Sequence, residues 1–121
     1  MVDASAIGRY VLFARDRLPV EELHVPALCD LEFASTLRRF LRGGRLSAET
    51  AAEAVAFYLD LPLVRHDHTA LLGRVLDLRD NFTAYDASYV ALAELLGLPL
   101  LTRDQRLVRA VQRHLPHVQL A

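Results

Sequence analysis

Apolar residues along the chain recur at a helical spacing in several long segments, and short continuous apolar runs separate these segments. The helical spacing predicts helices over residues 6–18, 26–43, 47–61, 68–82, 83–97 and 104–115. Proline near the first turn and a Gly-Gly pair after the last mark the ends of the second helix, and Ser47 and Thr83 are suited to cap the third and fifth. The apolar runs predict strands just before Asp3 and over residues 23–28, 61–66, 98–102 and 117–120.

This alternation of strands and helices is typical of an α/β fold. We expect a single domain over residues 1–121, with about five strands in a mostly parallel sheet and helices on both of its faces. A chain of 121 residues is long enough for one domain with a core and too short for two ordinary ones.

The composition narrows the class of protein further. Hydrophobic residues make up 53% of the chain, which argues against disorder, and no apolar run reaches the roughly 20 residues that a membrane crossing needs. No secretory signal is visible and Cys29 has no partner for a disulfide, so we expect a cytoplasmic protein. The net charge of -1 argues against a broadly basic coat, and all fourteen cationic side chains are Arg.

Four acidic residues stand at positions where carboxylates converge in an α/β fold. Asp3 and Asp104 each follow a predicted strand, and ligands bind beyond the carboxyl ends of such strands. Asp86 shares the apolar face of its helix with Tyr89, and Glu32 lies inside the second predicted helix. Packed into one cleft, four such acids repel one another unless a divalent cation neutralises them, and their hard oxygen atoms suit Mg²⁺ or Mn²⁺.

Each acid also has a purely structural interpretation. Thr83-x-x-Asp86 resembles a capping box with Asp in place of the usual Glu or Gln. Asp104 is equally suited to cap the last helix, and Asp3 to a turn after a strand. Glu32 needs a partner beside an apolar face, and Arg39 is the candidate.

The stretches "VDASAI", "LEFASTLRR" and "TAYDASYVALAELLGLPLLTRD" together resemble the PIN-domain ribonucleases, and most closely the VapC toxins of type II toxin-antitoxin systems. The resemblance covers essentially the whole chain and implies a Mg²⁺-dependent endoribonuclease that acts through a metal-activated water, forms a homodimer and is inhibited by a small cognate antitoxin. The repeated "DAS" at 3–5 and 86–88 then forms two walls of one metal site. The chain departs from the family in its short first strand and in Ser35, where many relatives carry Asn.

The resemblance also suggests roles for individual residues. We expect Asp3 and Asp86 to be the primary metal ligands, with Glu32 and Asp104 bonding directly or through water, and a cleft carboxylate to accept the proton of the attacking water. Ser5 and Thr102 are expected to orient a carboxylate or water, although turns and caps use the same residue types. The candidates for RNA-phosphate binding are Arg38, Arg39, Arg42 and Arg45, which also suit a helix C-terminus.

Other interpretations stay open. A non-catalytic PIN-like module could keep the acids for folding or partner contacts. Receiver domains and haloacid-dehalogenase-like phosphatases are disfavoured because both use a lysine and this chain has none. His66 and His68 form a weaker candidate ligand pair. The alanine-rich segment "AETAAEAVAFYL" suits packing against a second copy of the chain, or equally an ordinary core helix.

Overall fold

Helices account for most of the structure, a computed structural model that describes residues 1–15 and 22–121. Within these residues the helices are α1 Ala4–Phe13, α2 Cys29–Arg42, α3 Ala48–Leu59, α4 Leu72–Asp77, α5 Ala84–Leu96 and α6 Gln105–His114. The strands are β1 Leu23–Pro26 and β2 Leu63–His66, and a 3₁₀ turn covers Thr69–Leu71. Residues 16–18 of the first predicted helix lie outside the described residues.

The sheet is built around two parallel strands. Leu23 of β1 lies opposite Leu63 of β2, and the register continues to Pro26 opposite His66. On the other side of β1, the N–H of Val2 donates to the carbonyl of His24, and single parallel bridges join Val2 to Leu101 and Leu100 to Leu120. The hydrogen bonds therefore order the extended segments as β2, β1, 1–3, 100–101 and 119–121.

The expectation of about five strands is wrong in its count. Within the described ranges, β1 and β2 are the regular strands, and the other three segments are reduced to isolated bridges. Helix α1 starts immediately after Asp3, which caps it, so the first segment is cut short. Pro99 has no N–H to donate just before the segment at 100–101. A turn at 116–117 shortens the segment at 119–121.

Most predicted helix ends agree with the structure. The hydroxyls of Ser47 and Thr83 cap α3 and α5, and Gly97 ends α5 with a φ of 64°, a conformation that glycine adopts without strain. Helix α2 begins later than predicted because Pro26 belongs to β1 and the Ala27 N–H bonds to the carbonyl of His66. The predicted helix over 68–82 is divided into the 3₁₀ turn, the short α4 and a run of turns.

The core lies between the helices and the extended segments. Helix α1 packs against α2 and α3, while α5 packs against α4 and β1. Val25 of β1 and Val90 of α5 are completely buried, and the rings of Phe33 and Tyr58 stack with centroids 4.2 Å apart. No helix in the described part of the chain is long and apolar enough to cross a membrane. This packing brings the starts of α1, α5 and α6 to one side of α2.

Candidate active site

Four acidic side chains line one cleft of about 510 Å³. Each comes from a different helix or helix cap: Asp3 from the cap of α1, Glu32 from α2, Asp86 from the first turn of α5 and Asp104 from the cap of α6. These are the four acids that the sequence indicated as a set. Residues separated by up to about a hundred positions in the sequence thus face one space.

Asp3 is the most constrained of the four. Its side chain is buried, with the residue 5% exposed. One oxygen, Oδ1, accepts hydrogen bonds from the Ala6 N–H at 3.0 Å and the Ser5 hydroxyl at 2.7 Å, and Oδ2 accepts one from the Thr102 hydroxyl. Burial raises the pKa of the Asp3 carboxyl and the charge of Asp104 adds to the rise, whereas the three hydrogen bonds oppose it. The carboxylate is therefore held in one orientation at a cost in charge solvation.

The hydroxyls of Ser5 and Thr102 link the two ends of the chain at the site. They lie 3.3 Å apart; Ser5 Oγ accepts the Arg103 N–H at 3.1 Å, and Thr102 Oγ1 accepts the Asp104 N–H at 3.0 Å. Asp104 in turn caps α6, with Oδ1 accepting the Arg106 N–H at 2.9 Å. Each hydroxyl therefore contacts the Asp3 carboxylate and also accepts a backbone N–H just before α6. The expected role in orienting a carboxylate and the alternative role in a turn or cap are thus compatible.

The cap of α5 leaves the Asp86 carboxylate available to the cleft. The backbone N–H of Asp86 donates to the Thr83 hydroxyl at 3.1 Å, which is one of the two bonds of a capping box. Burial raises the pKa of the Asp86 carboxyl and the negative charges of Asp104 and Asp3 add to the rise, whereas a hydrogen bond with the Thr83 side chain and the positive charge of Arg106 oppose it. The capping bond uses the backbone N–H of Asp86, so the carboxylate can also line the cleft.

Glu32 lacks a partner for one of its oxygen atoms. Its Oε1 is buried and accepts no hydrogen bond from any residue that the structure describes. Burial raises the pKa of the Glu32 carboxyl, and the charges of Asp86 and Asp3 add to the rise. The expected pairing with Arg39 is not formed, because the Arg39 guanidinium donates to the Thr36 hydroxyl at 3.4 Å instead. A buried, unpaired carboxylate oxygen is costly, so this atom is available to a bound water or cation.

The other sequence-predicted candidates are divided among several surfaces. Arg39 lines the acidic cleft, whereas Arg38 and Arg42 line a separate apolar groove between α2 and α3. Arg45 lies over the ring of Phe40, with its guanidinium carbon 5.5 Å from the ring centroid. Helix α2 turns Arg38 and Arg42 away from Arg39, whereas Arg39 and Arg45 line a smaller pocket together with Phe40. The four arginines therefore do not form one basic surface.

The histidines do not belong to any group of three potential metal ligands within residues 1–15 and 22–121. His66 Nε2 lies 2.9 Å from His24 Nδ1 across the two strands, and the Nδ1 of His68 is buried without a partner. More generally, no three His, Cys, Asp or Glu side chains in this part of the chain are already close enough to form a ready metal-binding group. The four cleft acids therefore face one space without being in mutual contact.

Two cleft residues were missed as functional candidates by the sequence analysis. Tyr85, 61% exposed, and Tyr89, which is buried, flank the cleft on the same helix as Asp86. The signal was present for Tyr89, because a residue three positions after a site residue lies on the same helix face. The sequence offered no comparable indication of a role for Tyr85, because a single exposed aromatic residue is ordinary on a protein surface.

Comparisons of this chain with known proteins agree on one family. Residues 1–112 match the model of the PIN domain family. Among curated proteins, "VapC ribonuclease Mb0985" of Mycobacterium bovis is 42% identical over 119 residues, which cover 96% of this chain and 94% of that protein. "Ribonuclease VapC3" of Mycobacterium tuberculosis is 41% identical over 117 residues, covering 91% and 85% of the two chains. The solved structure of PAE2754 from Pyrobaculum aerophilum is 28% identical, with a TM-score of 0.65 and coverage of 90% and 76%.

The crowding of acids predicts that Asp86→Asn stabilises the metal-free protein at pH 7. A carboxyl whose pKa is raised on folding favours the folded state at acidic pH, and this contribution is lost as pH rises through the folded-state pKa. At neutral pH the ionised Asp86 therefore opposes folding, and Asn removes the charge while the backbone cap to Thr83 stays. Thermal melts in EDTA should show a higher Tm for the variant, and the difference should shrink as the pH is lowered.

Asp80→Asn is the matched control, because Asp80 is exposed and does not line the cleft. Its Tm should change little at any pH. A lower Tm for Asp86→Asn than for the wild type at pH 7, or a gain that is independent of pH, would contradict the electrostatic account of the cleft.

Proposed function

Because the chain belongs to the PIN-domain family, as one of the VapC-type ribonucleases, we propose that it is the toxin of a toxin-antitoxin pair and cuts RNA with a divalent cation held in the acidic cleft. The observation that carries the proposal is the convergence of Asp3, Glu32, Asp86 and Asp104 on one cleft. A small reading frame beside the gene, whose product abolishes cleavage when present, would identify the antitoxin.

The residues of the cleft suit Mg²⁺ or Mn²⁺ in type and in charge. All four acids offer oxygen atoms, which these cations prefer. The Asp3 carboxylate already accepts three hydrogen bonds, but a carboxylate has about four lone-pair sites and so retains one for a cation. The unpaired Oε1 of Glu32 is a further free site. We propose Asp3 and Asp86 as direct ligands, with Glu32 and Asp104 bonding directly or through the waters that Mg²⁺ retains.

A bound divalent cation supplies a nucleophilic water at neutral pH and neutralises charge on the phosphate under attack. The chain supplies the other requirements of hydrolysis. Ser5 and Thr102 keep Asp3 in its orientation, and the Thr83 cap fixes the start of α5 and with it Asp86. Where Glu32 bonds to the cation through water, its unpaired Oε1 is suited to accept the proton of the attacking water.

Two kinds of side chain around the cleft suit an RNA strand. Arg39 lines the cleft on α2, and Arg106 lies near enough to Asp86 on the other side to lower the pKa of that carboxyl. Both can contact phosphates. The exposed ring of Tyr85 can stack on an unpaired base, as aromatic residues do in proteins that bind single-stranded RNA. We propose single-stranded or loop RNA as the substrate, and we narrow the four arginines suggested by the sequence to Arg39 as the one at the site.

The first test compares the wild type with Asp86→Asn on mixed RNA in Mg²⁺, in Mn²⁺ and in excess EDTA, with no antitoxin present. We expect cleavage by the wild type only with metal, and a loss of about 100-fold or more in the variant, because a few kcal/mol of transition-state stabilisation is removed. Equal cleavage by both proteins would show that the site is wrongly placed. If both are inert on several structured RNAs although both are folded, the chain is instead a binding module that retains its acids for folding or partner contacts.

The second test concerns RNA binding by Arg39. In an Asp86→Asn background, Arg39→Gln should weaken RNA binding and reduce the slope of log K against log salt by about 0.7, the value for one phosphate contact to a single strand. Arg42→Gln is the matched control, because Arg42 is on the same helix but lines the groove towards α3. Equal reductions of the slope in the two variants would favour the broader patch of Arg38, Arg39, Arg42 and Arg45.

We also propose a homodimer, supported by the outer face of α3. Ala51, Ala54 and Tyr58 on one face of this helix are buried in the core, whereas Val55 and Leu59 on the other are 41% and 67% exposed. The helix therefore has both a core face and an apolar surface that suits a second copy. Sedimentation at micromolar concentration should give a dimer, and Leu59→Glu should shift it towards monomer. A wild-type monomer at that concentration would exclude the dimer.

A further inference from the structure

Two buried polar atoms in the cleft have no hydrogen-bond partner among residues 1–15 and 22–121. They are Oε1 of Glu32 and the hydroxyl oxygen of Tyr89. Buried polar groups in proteins are nearly always paired, so an unpaired acceptor and an unpaired donor in the lining of one cleft require a common explanation.

The two groups approach each other from facing helices. Tyr89 lies on α5 one turn after Asp86, and it is 2% exposed, so its ring is fixed by the core. Glu32 lies on α2 one turn after Cys29. Both residues line the same cleft, and both polar atoms are buried without a hydrogen-bond partner among the described residues. In agreement with this proximity, the Tyr89 hydroxyl lowers the pKa of the Glu32 carboxyl, against the larger effect of burial.

A second tyrosine nearby provides an internal comparison. Tyr58 lies beside the same buried Cys29 thiol as Tyr89, but its hydroxyl donates to Asp30 Oδ1 at 2.6 Å, and Arg65 binds the same carboxylate at 2.9 Å. The Tyr58 hydroxyl is therefore already used by a structural carboxylate. The Tyr89 hydroxyl lies beside both the Cys29 thiol and the Glu32 carboxylate, and it makes no hydrogen bond with any residue that the structure describes.

We propose that Tyr89 is a positioning residue, whose hydroxyl donates a hydrogen bond to Glu32 and turns that carboxylate towards the cation of the cleft. This inference rests on the proposed function, since it assigns a role within the same site. Carboxylates that bind a metal are themselves commonly hydrogen-bonded, and the bond fixes their orientation. A neutral phenol suits this task beside crowded acids, because it donates a hydrogen bond without adding a charge.

The test is Mn²⁺ binding by calorimetry, without RNA, on the full chain and its Tyr89→Phe variant. Phe keeps the ring and its packing and removes only the hydroxyl. We expect Mn²⁺ affinity to fall by about 10-fold. The Tm in EDTA should stay close to that of the wild type, because the Tyr89 hydroxyl makes no hydrogen bond with the described part of the chain.

Tyr58→Phe is the matched control with the opposite pattern. It removes the hydrogen bond that the Tyr58 hydroxyl donates to Asp30, so it should lower the Tm in EDTA and leave Mn²⁺ affinity unchanged. In a Glu32→Gln background, Tyr89→Phe should have little further effect on Mn²⁺ affinity, because the hydroxyl acts through the carboxylate that has been removed.

The outcomes separate the two hypotheses. Wild-type protein that binds no Mn²⁺ would overturn the proposed function and the role of Tyr89 with it. Wild-type binding with equal affinity in Tyr89→Phe would overturn the role of Tyr89 alone. An undiminished effect of Tyr89→Phe in the Glu32→Gln background would also overturn it, since the hydroxyl would then act by another route.

Discussion

The hydrogen bonds of the Asp3 carboxylate connect the fold to the site. Through Oδ1 the carboxylate caps α1, and through Oδ2 it binds Thr102, which follows the extended segment at 100–101. The Asp3 N–H donates to the Leu101 carbonyl at 3.0 Å, so backbone and side chain join the same two parts of the chain. Because Thr102 also accepts the N–H of Asp104, fixing Asp3 fixes the start of α6 as well. The arrangement of the cleft therefore follows from how the chain closes its sheet.

The cost of this arrangement is electrostatic. Burial raises the pKa of Asp3, Glu32 and Asp86, and the acids raise one another's pKa by their like charge. A core built only for stability does not gather unneutralised carboxylates, because each loses solvation without gaining a counter-charge. By contrast, the half-buried Glu94 on α5 is neutralised by a bidentate pair with Arg74, which lowers the pKa of that carboxyl. The contrast indicates that the cleft is organised for a ligand rather than for folding.

Local physical chemistry explains which features could be predicted from the sequence. The ends of α3 and α5 follow from hydroxyl caps and a glycine, and the four acids stand beside strand ends or on inward helix faces, so these were predictable. The length of the strands was not predictable, because it depends on where the extended chain ends and Asp3 begins to cap α1. The unpaired state of the Glu32 and Tyr89 oxygen atoms depends on how α2 and α5 are placed around the cleft, which a local sequence pattern does not predict.

If the four acids jointly hold a divalent cation, an anomalous difference map will show where it binds, measured on crystals of the full chain soaked in Mn²⁺ at a concentration that supports cleavage. We expect one strong peak in the cleft, within bonding or one-water distance of Asp3, Glu32, Asp86 and Asp104. An empty cleft under those conditions, or a peak only at His24 and His66, would contradict this expectation.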